Sequence, residues 1–157
     1  MDALKNIDFK TRREKEKLTS LEIVRIGTCG GLQPYCPVGS FICSEKSIGF
    51  EGLLNYYGNR DEICDLDFEK AFTEHLGWDY HNLPSPYVVD NDPEMVERIY
   101  KSSPKMIKGV TISCGGFYGP QGRELRIPLA DPKRNEKIQS FEWNNYRITE
   151  LSISLGV

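Results

Sequence analysis

Twice in this chain a β-branched run empties into glycines. Leu21-Glu22-Ile23-Val24-Arg25-Ile26 leads into Gly27-Thr28-Cys29-Gly30-Gly31, and Lys108-Gly109-Val110-Thr111-Ile112-Ser113-Cys114 leads into Gly115-Gly116. Valine, isoleucine and threonine suit a pleated, half-buried surface. Glycine turns tightly and lets another backbone or a ligand approach closely. A chain with two such junctions builds a sheet whose strands end in open loops. Residues 40–44 (Ser-Phe-Ile-Cys-Ser) read as a further strand.

Helical patterns lie between the strands. From Asp67 to Leu76 the apolar residues Phe68, Ala71, Phe72 and Leu76 share one side, with Asp67 placed to cap the start and Gly77 to end the helix. Asp92-Pro93-Glu94 opens another helix through about Tyr100, with proline and acids in its first turn. Residues 135–144 are read as helical, 58–66 and 124–134 as loops, and 148–157 as a weakly strand-like tail. The first 20 residues are polar and fit a short helix, an exposed hairpin or a frayed end. Strands alternating with helices predict an α/β domain, and 157 residues suffice for one.

Charge and cysteine content exclude several classes. The net charge is -3, and the Lys10-Thr11-Arg12-Arg13 group alternates with Glu14 and Glu16, so a nucleic-acid partner is not expected. No run approaches the roughly 20 apolar residues of a membrane span, and no signal peptide is recognised. The five cysteines (29, 36, 43, 64 and 114) are odd in number, irregularly spaced and without a Cys-x-x-Cys pair. Free thiols in a reducing cytoplasm are expected, with no disulfide scaffold and no metal site. His75 and His81 read as surface or locally bonded residues, and no base is placed to make Cys29 a nucleophile.

Both junctions have residues suited to a small-molecule site. At the first, Arg25 carries a permanent fork of donors, Thr28 adds a hydroxyl, and the glycine turn can aim backbone N–H groups at an anion. At the second, Phe117 offers a ring for stacking, Gln121 a donor and an acceptor, and Arg123 paired donors. That set matches the edge of a pyrimidine, which carries two carbonyls and an N–H. Taken singly, each stretch is more readily read as a structural turn.

Taken in order, the two stretches resemble the uridine phosphorylase branch of the nucleoside phosphorylase family. Arg25-Ile26-Gly27-Thr28 with Gly30, Gln33-Pro34 and Val38-Gly39 resembles the family's phosphate-side segment, and Phe117-Tyr118, Gln121 and Arg123 match its FYxxQxR spacing. The likeness runs over about residues 21–147. It implies a three-layer fold with a central mixed β-sheet, present here as one partial domain over residues 1–157 with atypical ends at 1–20 and 148–157. It further implies phosphate binding by Arg25, Gly27 and Thr28, and nucleoside binding by Thr28, Cys29, Gly30, Phe117, Gln121 and Arg123, with Arg25, Thr28 and Arg123 serving catalysis. The implied reaction is phosphorolysis of a uridine-type nucleoside to free base and ribose 1-phosphate. Inorganic phosphate is the co-substrate, no cofactor is implied, and the working unit is a homo-oligomer.

The ends depart from the family pattern. Residues 1–20 lack its Gly-Asp-rich phosphate loop and Gly-Ser signature, and residues 146–155 lack its Glu- and Met-rich segment ending MES, so Glu150 receives no ribose role. The change after about Thr149 reads as a truncated or frameshifted end that leaves an orphan strand and a chain prone to association. A non-catalytic base-binding remnant and a purine nucleoside phosphorylase or nucleosidase stand as alternatives.

Overall fold

The computed structural model describes residues 2–103 and 105–153. A six-stranded mixed sheet forms the centre. Three long strands run parallel: β4 (Ile42–Gly49), β6 (Ile107–Cys114) and β8 (Tyr146–Ile153). On the flanks, β3 (Cys29–Gly31) pairs antiparallel with β8, and β5 (Tyr87–Asp90) pairs antiparallel with β4, giving the order β3-β8-β6-β4-β5. β7 (Glu142–Trp143) forms a hairpin with β8 through Asn144 and Asn145, both at positive φ. Such a two-residue turn matches the twist of the strands it joins. The N-terminal segment holds a short helix, α1 (Asp2–Asn6), and a small ladder between β1 (Ile7–Asp8) and β2 (Arg13–Glu14).

Helices α3 (Leu66–Leu76) and α5 (Arg134–Ser140) cover one face. Their apolar residues meet the strands in one cluster, with Phe68, Phe72, Leu76, Ile138 and Phe141 against Ile48, Val88, Val110, Ile112 and Ile148. The helix α4 (Pro93–Ser102) lies against β4, where buried Val96 meets Cys43. One cation ties these layers together. The buried Lys46 ammonium donates to Asp65 at 2.7 Å and to Asp90 at 2.5 Å, and lies 5.1 Å from the Tyr146 ring centre. Burial alone would raise the Asp65 carboxyl, but the hydrogen bond and charge of Lys46 outweigh it and hold Asp65 below its ordinary value.

Several expectations need correction. Residues 21–26 form no strand, and Ile23, Val24 and Ile26 are exposed. β-propensity alone does not make a strand, since a strand needs a ladder to join, and residues 21–28 belong to none among the described residues. The second strand begins at Ile42 and runs on to Gly49. Asp65, not Asp67, caps α3 by accepting the Phe68 N–H at 3.0 Å, while Gly77 closes it in the left-handed region as expected. A short helix, α2 (Arg60–Ile63), interrupts the 58–66 loop. α5 stops at Ser140, short of 144, because Phe141 turns extended to fill the core. The tail is not an orphan strand. β8 pairs with β3 on one side and β6 on the other, and positions 154–157 of the expected strand lie outside the described residues.

Candidate functional site

Because β4, β6 and β8 are parallel, their carboxyl ends share one edge of the sheet. Ligands in open α/β sheets bind outside that edge. Both glycine junctions open there. β6 ends at Cys114 and releases the loop that carries Phe117, Gln121 and Arg123; β3 begins at Cys29, opposite Ser152 near the end of β8.

The two guanidinium groups reach adjacent rungs of the β3–β8 ladder from its opposite faces, since successive residues of a strand point to opposite sides. Arg25 Nη1 is 3.5 Å from Ser152 Oγ, on the rung that pairs Cys29 with Ser152. The same guanidinium passes over Gly27, 3.5 Å from where a Cβ would stand. Arg123 Nη2 is 3.7 Å from the corresponding point at Gly30, whose rung partner is Leu151. Arg123 is braced from below, with its Cζ 4.6 Å from the Phe117 ring centre. Thr28 lies on the same connecting segment, exposed to solvent.

Gln121 is 4% exposed. The loop backbone fixes where it sits. The Gln121 and Arg123 N–H groups both donate to the Tyr118 carbonyl at 3.0 Å, and Gly122 takes φ 71°. Only glycine accepts that angle without strain, and a Cβ there would overlap the Asn135 side chain. Gly122→Ala is therefore expected to lower stability by about 1–3 kcal/mol, read from the urea midpoint. Gly39→Ala, at φ 89° with no atom within 4 Å, meets strain without overlap and costs less.

Below the first junction a polar chain crosses the sheet. Ser44 meets Thr111, and Thr111 Oγ1 donates to Glu150 at 2.5 Å, two rungs from Cys29 on the β3–β8 ladder. Partial burial first, then interaction with the Glu150 carboxylate, push the Cys29 thiol up to about 12. Cys29 is thus held as a thiol and is a poor nucleophile at neutral pH. Ser152, Thr111, Glu150, Arg134 and Asn135 carry no motif. Only the pairing of distant strands and the packing of α5 bring them to this edge.

A cavity of about 670 Å³ lies elsewhere, along α3 and the 77–86 segment, where it is lined by Arg60, Glu69, Thr73 and Trp78. It contains none of the motif residues, and its Arg60 is already paired with Glu69 at 2.5 Å. The convergence of two motifs on one edge is the stronger argument for a site than that groove.

Residues 12–144 match the model of the Phosphorylase superfamily. No curated protein sequence matches the chain. Among solved structures, a nucleoside phosphorylase of Trypanosoma brucei, whose crystal structure shows uridine phosphorylase activity, superposes with a TM-score of 0.80 at 18% identity. The match covers 96% of this chain and 57% of that one, so the chain spans little more than half of its length. No described helix is long and apolar enough to cross a membrane. With the family model covering most of its length and this sheet at its centre, the chain belongs to the phosphorylase superfamily and has the fold of a nucleoside phosphorylase.

Proposed function

We propose that the site serves the phosphorolysis of uridine-type pyrimidine nucleosides, releasing the free base and ribose 1-phosphate. The observation that carries this reading is that both motif segments reach the carboxyl-end edge of the parallel strands, Arg25 beside Ser152 of β8 and the Phe117–Arg123 loop at the end of β6. Phosphate binds at Arg25, Gly27 and Thr28. The base lies by Phe117, with its edge on Gln121 and Arg123, and the sugar passes over Cys29 and Gly30. Cleavage of the glycosidic bond leaves positive character on the sugar and negative charge on the departing base. Arg123 and Gln121 stabilise charge that develops on the base carbonyls. Arg25 holds the phosphate as nucleophile near the cationic sugar. The reaction uses phosphate itself and calls for no cofactor.

The five free cysteines suit a reducing cytoplasm, and the exposed apolar residues Ile23, Val24, Ile26 and Val38 suit burial against a second copy. A homo-oligomer is thus the expected working form, with a mass by light scattering above the 18.0 kDa of one chain.

The test is release of uracil from uridine, followed by chromatography with and without phosphate, beside inosine. Phosphate-dependent release from uridine alone supports the reading. Equal or faster cleavage of inosine assigns a purine enzyme, and cleavage without phosphate assigns a nucleosidase. Uracil binding without turnover leaves a base-binding module.

A further inference from the structure

The loop that carries Phe117, Gln121 and Arg123 is held from behind by two residues on the first turn of α5. Arg134 Nη2 donates to the carbonyls of Gly119 and Pro120, both at 2.8 Å. Asn135 Nδ2 donates to the carbonyl of Gln121 at 2.9 Å. Three successive carbonyls are thus gripped from one side, while amides of the same turn bond within it, Gly122 to Gly119 and Gln121 and Arg123 to Tyr118. The grip rests on a fixed base. Ile138 and Phe141 are 1% and 2% exposed in the core, and Lys137 Nζ donates to the Leu76 carbonyl at the end of α3. Arg134 Nε and Asn135 Oδ1 are buried and have no partner among the described residues. Leaving buried polar atoms unpaired is unfavourable, so bulk stability alone does not account for this pair.

We infer that Arg134 and Asn135 are positioning residues for base recognition: by fixing the carbonyls of residues 119–121 they set the direction in which Gln121 and Arg123 present their donors. The inference rests on the base-clamp reading above. It separates the two halves of the site, because the gripped carbonyls belong to the base-side turn, whereas Arg25 meets Ser152 on β8. Loosening the turn therefore affects the heterocycle and spares the anion.

The experiment measures uracil and inorganic phosphate binding separately by calorimetry on the full chain, wild type beside Arg134→Gln, Arg134→Lys and Asn135→Ala. Hydrogen exchange of residues 117–123 is followed in each. Arg134→Gln is expected to weaken uracil binding at least tenfold with phosphate affinity unchanged within twofold, while exchange rises in 117–123 but not in β6. Arg134→Lys rescues in part, since an ammonium cannot reproduce the planar fork, and Asn135→Ala loses less than Arg134→Gln. Uracil affinity unchanged in all three variants overturns the inference. So does joint loss of uracil and phosphate with exchange rising across the whole sheet, which marks a folding defect. A wild-type chain that binds no uracil overturns the base-clamp reading, and the inference with it.

Discussion

Arg123→Ala lowers kcat/KM for uridine phosphorolysis at least 100-fold, with most of the loss in kcat. The guanidinium is the one permanent positive charge that the motif places at the base end, held over the Phe117 ring and against Gly30. Charge on the base grows only as the glycosidic bond breaks, so a donor fixed there beforehand acts chiefly in the transition state. Removing one such donor typically costs 10²–10³ in rate, about 2.7–4 kcal/mol. Arg123 is exposed in the described chain, and water weakens its field, so the lower end of that range is expected. Arg123→Lys recovers little, because a point charge cannot bond two acceptors in one plane. The fold is not at risk. The Arg123 side chain packs on Phe117 and Gly30 and pairs with no carboxylate among the described residues, so the melting temperature stays within a degree or two of wild type. Initial rates over a range of uridine at saturating phosphate give the split between kcat and KM. A variant that keeps a third of the wild-type rate removes Arg123 from the chemistry.

The parts of this site that are legible in sequence are those set by residue type within a few positions. Arg25 with its glycines and Gln121 with Arg123 declare donors at short spacing. Phe68, Phe72 and Leu76 declare a helix face, since each is one turn from the next. β6 reads correctly because its β-branched run is buried on both sides. The failures have one physical origin, which is dependence on a partner distant in sequence. Residues 21–26 have the composition of a strand and join no ladder among the described residues, whereas Cys29–Gly31, poor in strand formers, becomes a strand because β8 offers it an edge. Glu150 looks out of place in its local sequence and proves to be a buried acceptor for Thr111. Arg134 ends the stretch read as a loop, yet its two bonds reach residues 14 and 15 positions away.

The second large effect concerns the fold and leaves the chemistry alone. Phe68→Ala is expected to lower the unfolding free energy by about 3–5 kcal/mol, against a total of about 5–15 kcal/mol for a domain of this kind. Phe68 is 0% exposed and sits where four elements meet, with ring centres at 5.3 Å to Phe141, 6.3 Å to Tyr146 and 6.4 Å to Phe72. The Lys46 ammonium lies 5.8 Å above the same ring. Truncation therefore leaves two deficits, a void that rigid aromatic neighbours cannot fill and a buried cation that loses one of its two rings. The cap is untouched, because the Asp65 carboxylate bonds the backbone N–H of residue 68, which alanine retains. The loss is thus assigned to packing and not to helix initiation. Phe41→Ala, at a ring 68% exposed, serves as the control and changes stability by about 0.5 kcal/mol or less. Urea denaturation followed by tryptophan fluorescence distinguishes the two, with the Phe68→Ala midpoint displaced and its slope unchanged. Equal midpoints for Phe68→Ala and Phe41→Ala would show that the aromatic cluster between α3 and the sheet is not what holds the site's scaffold together.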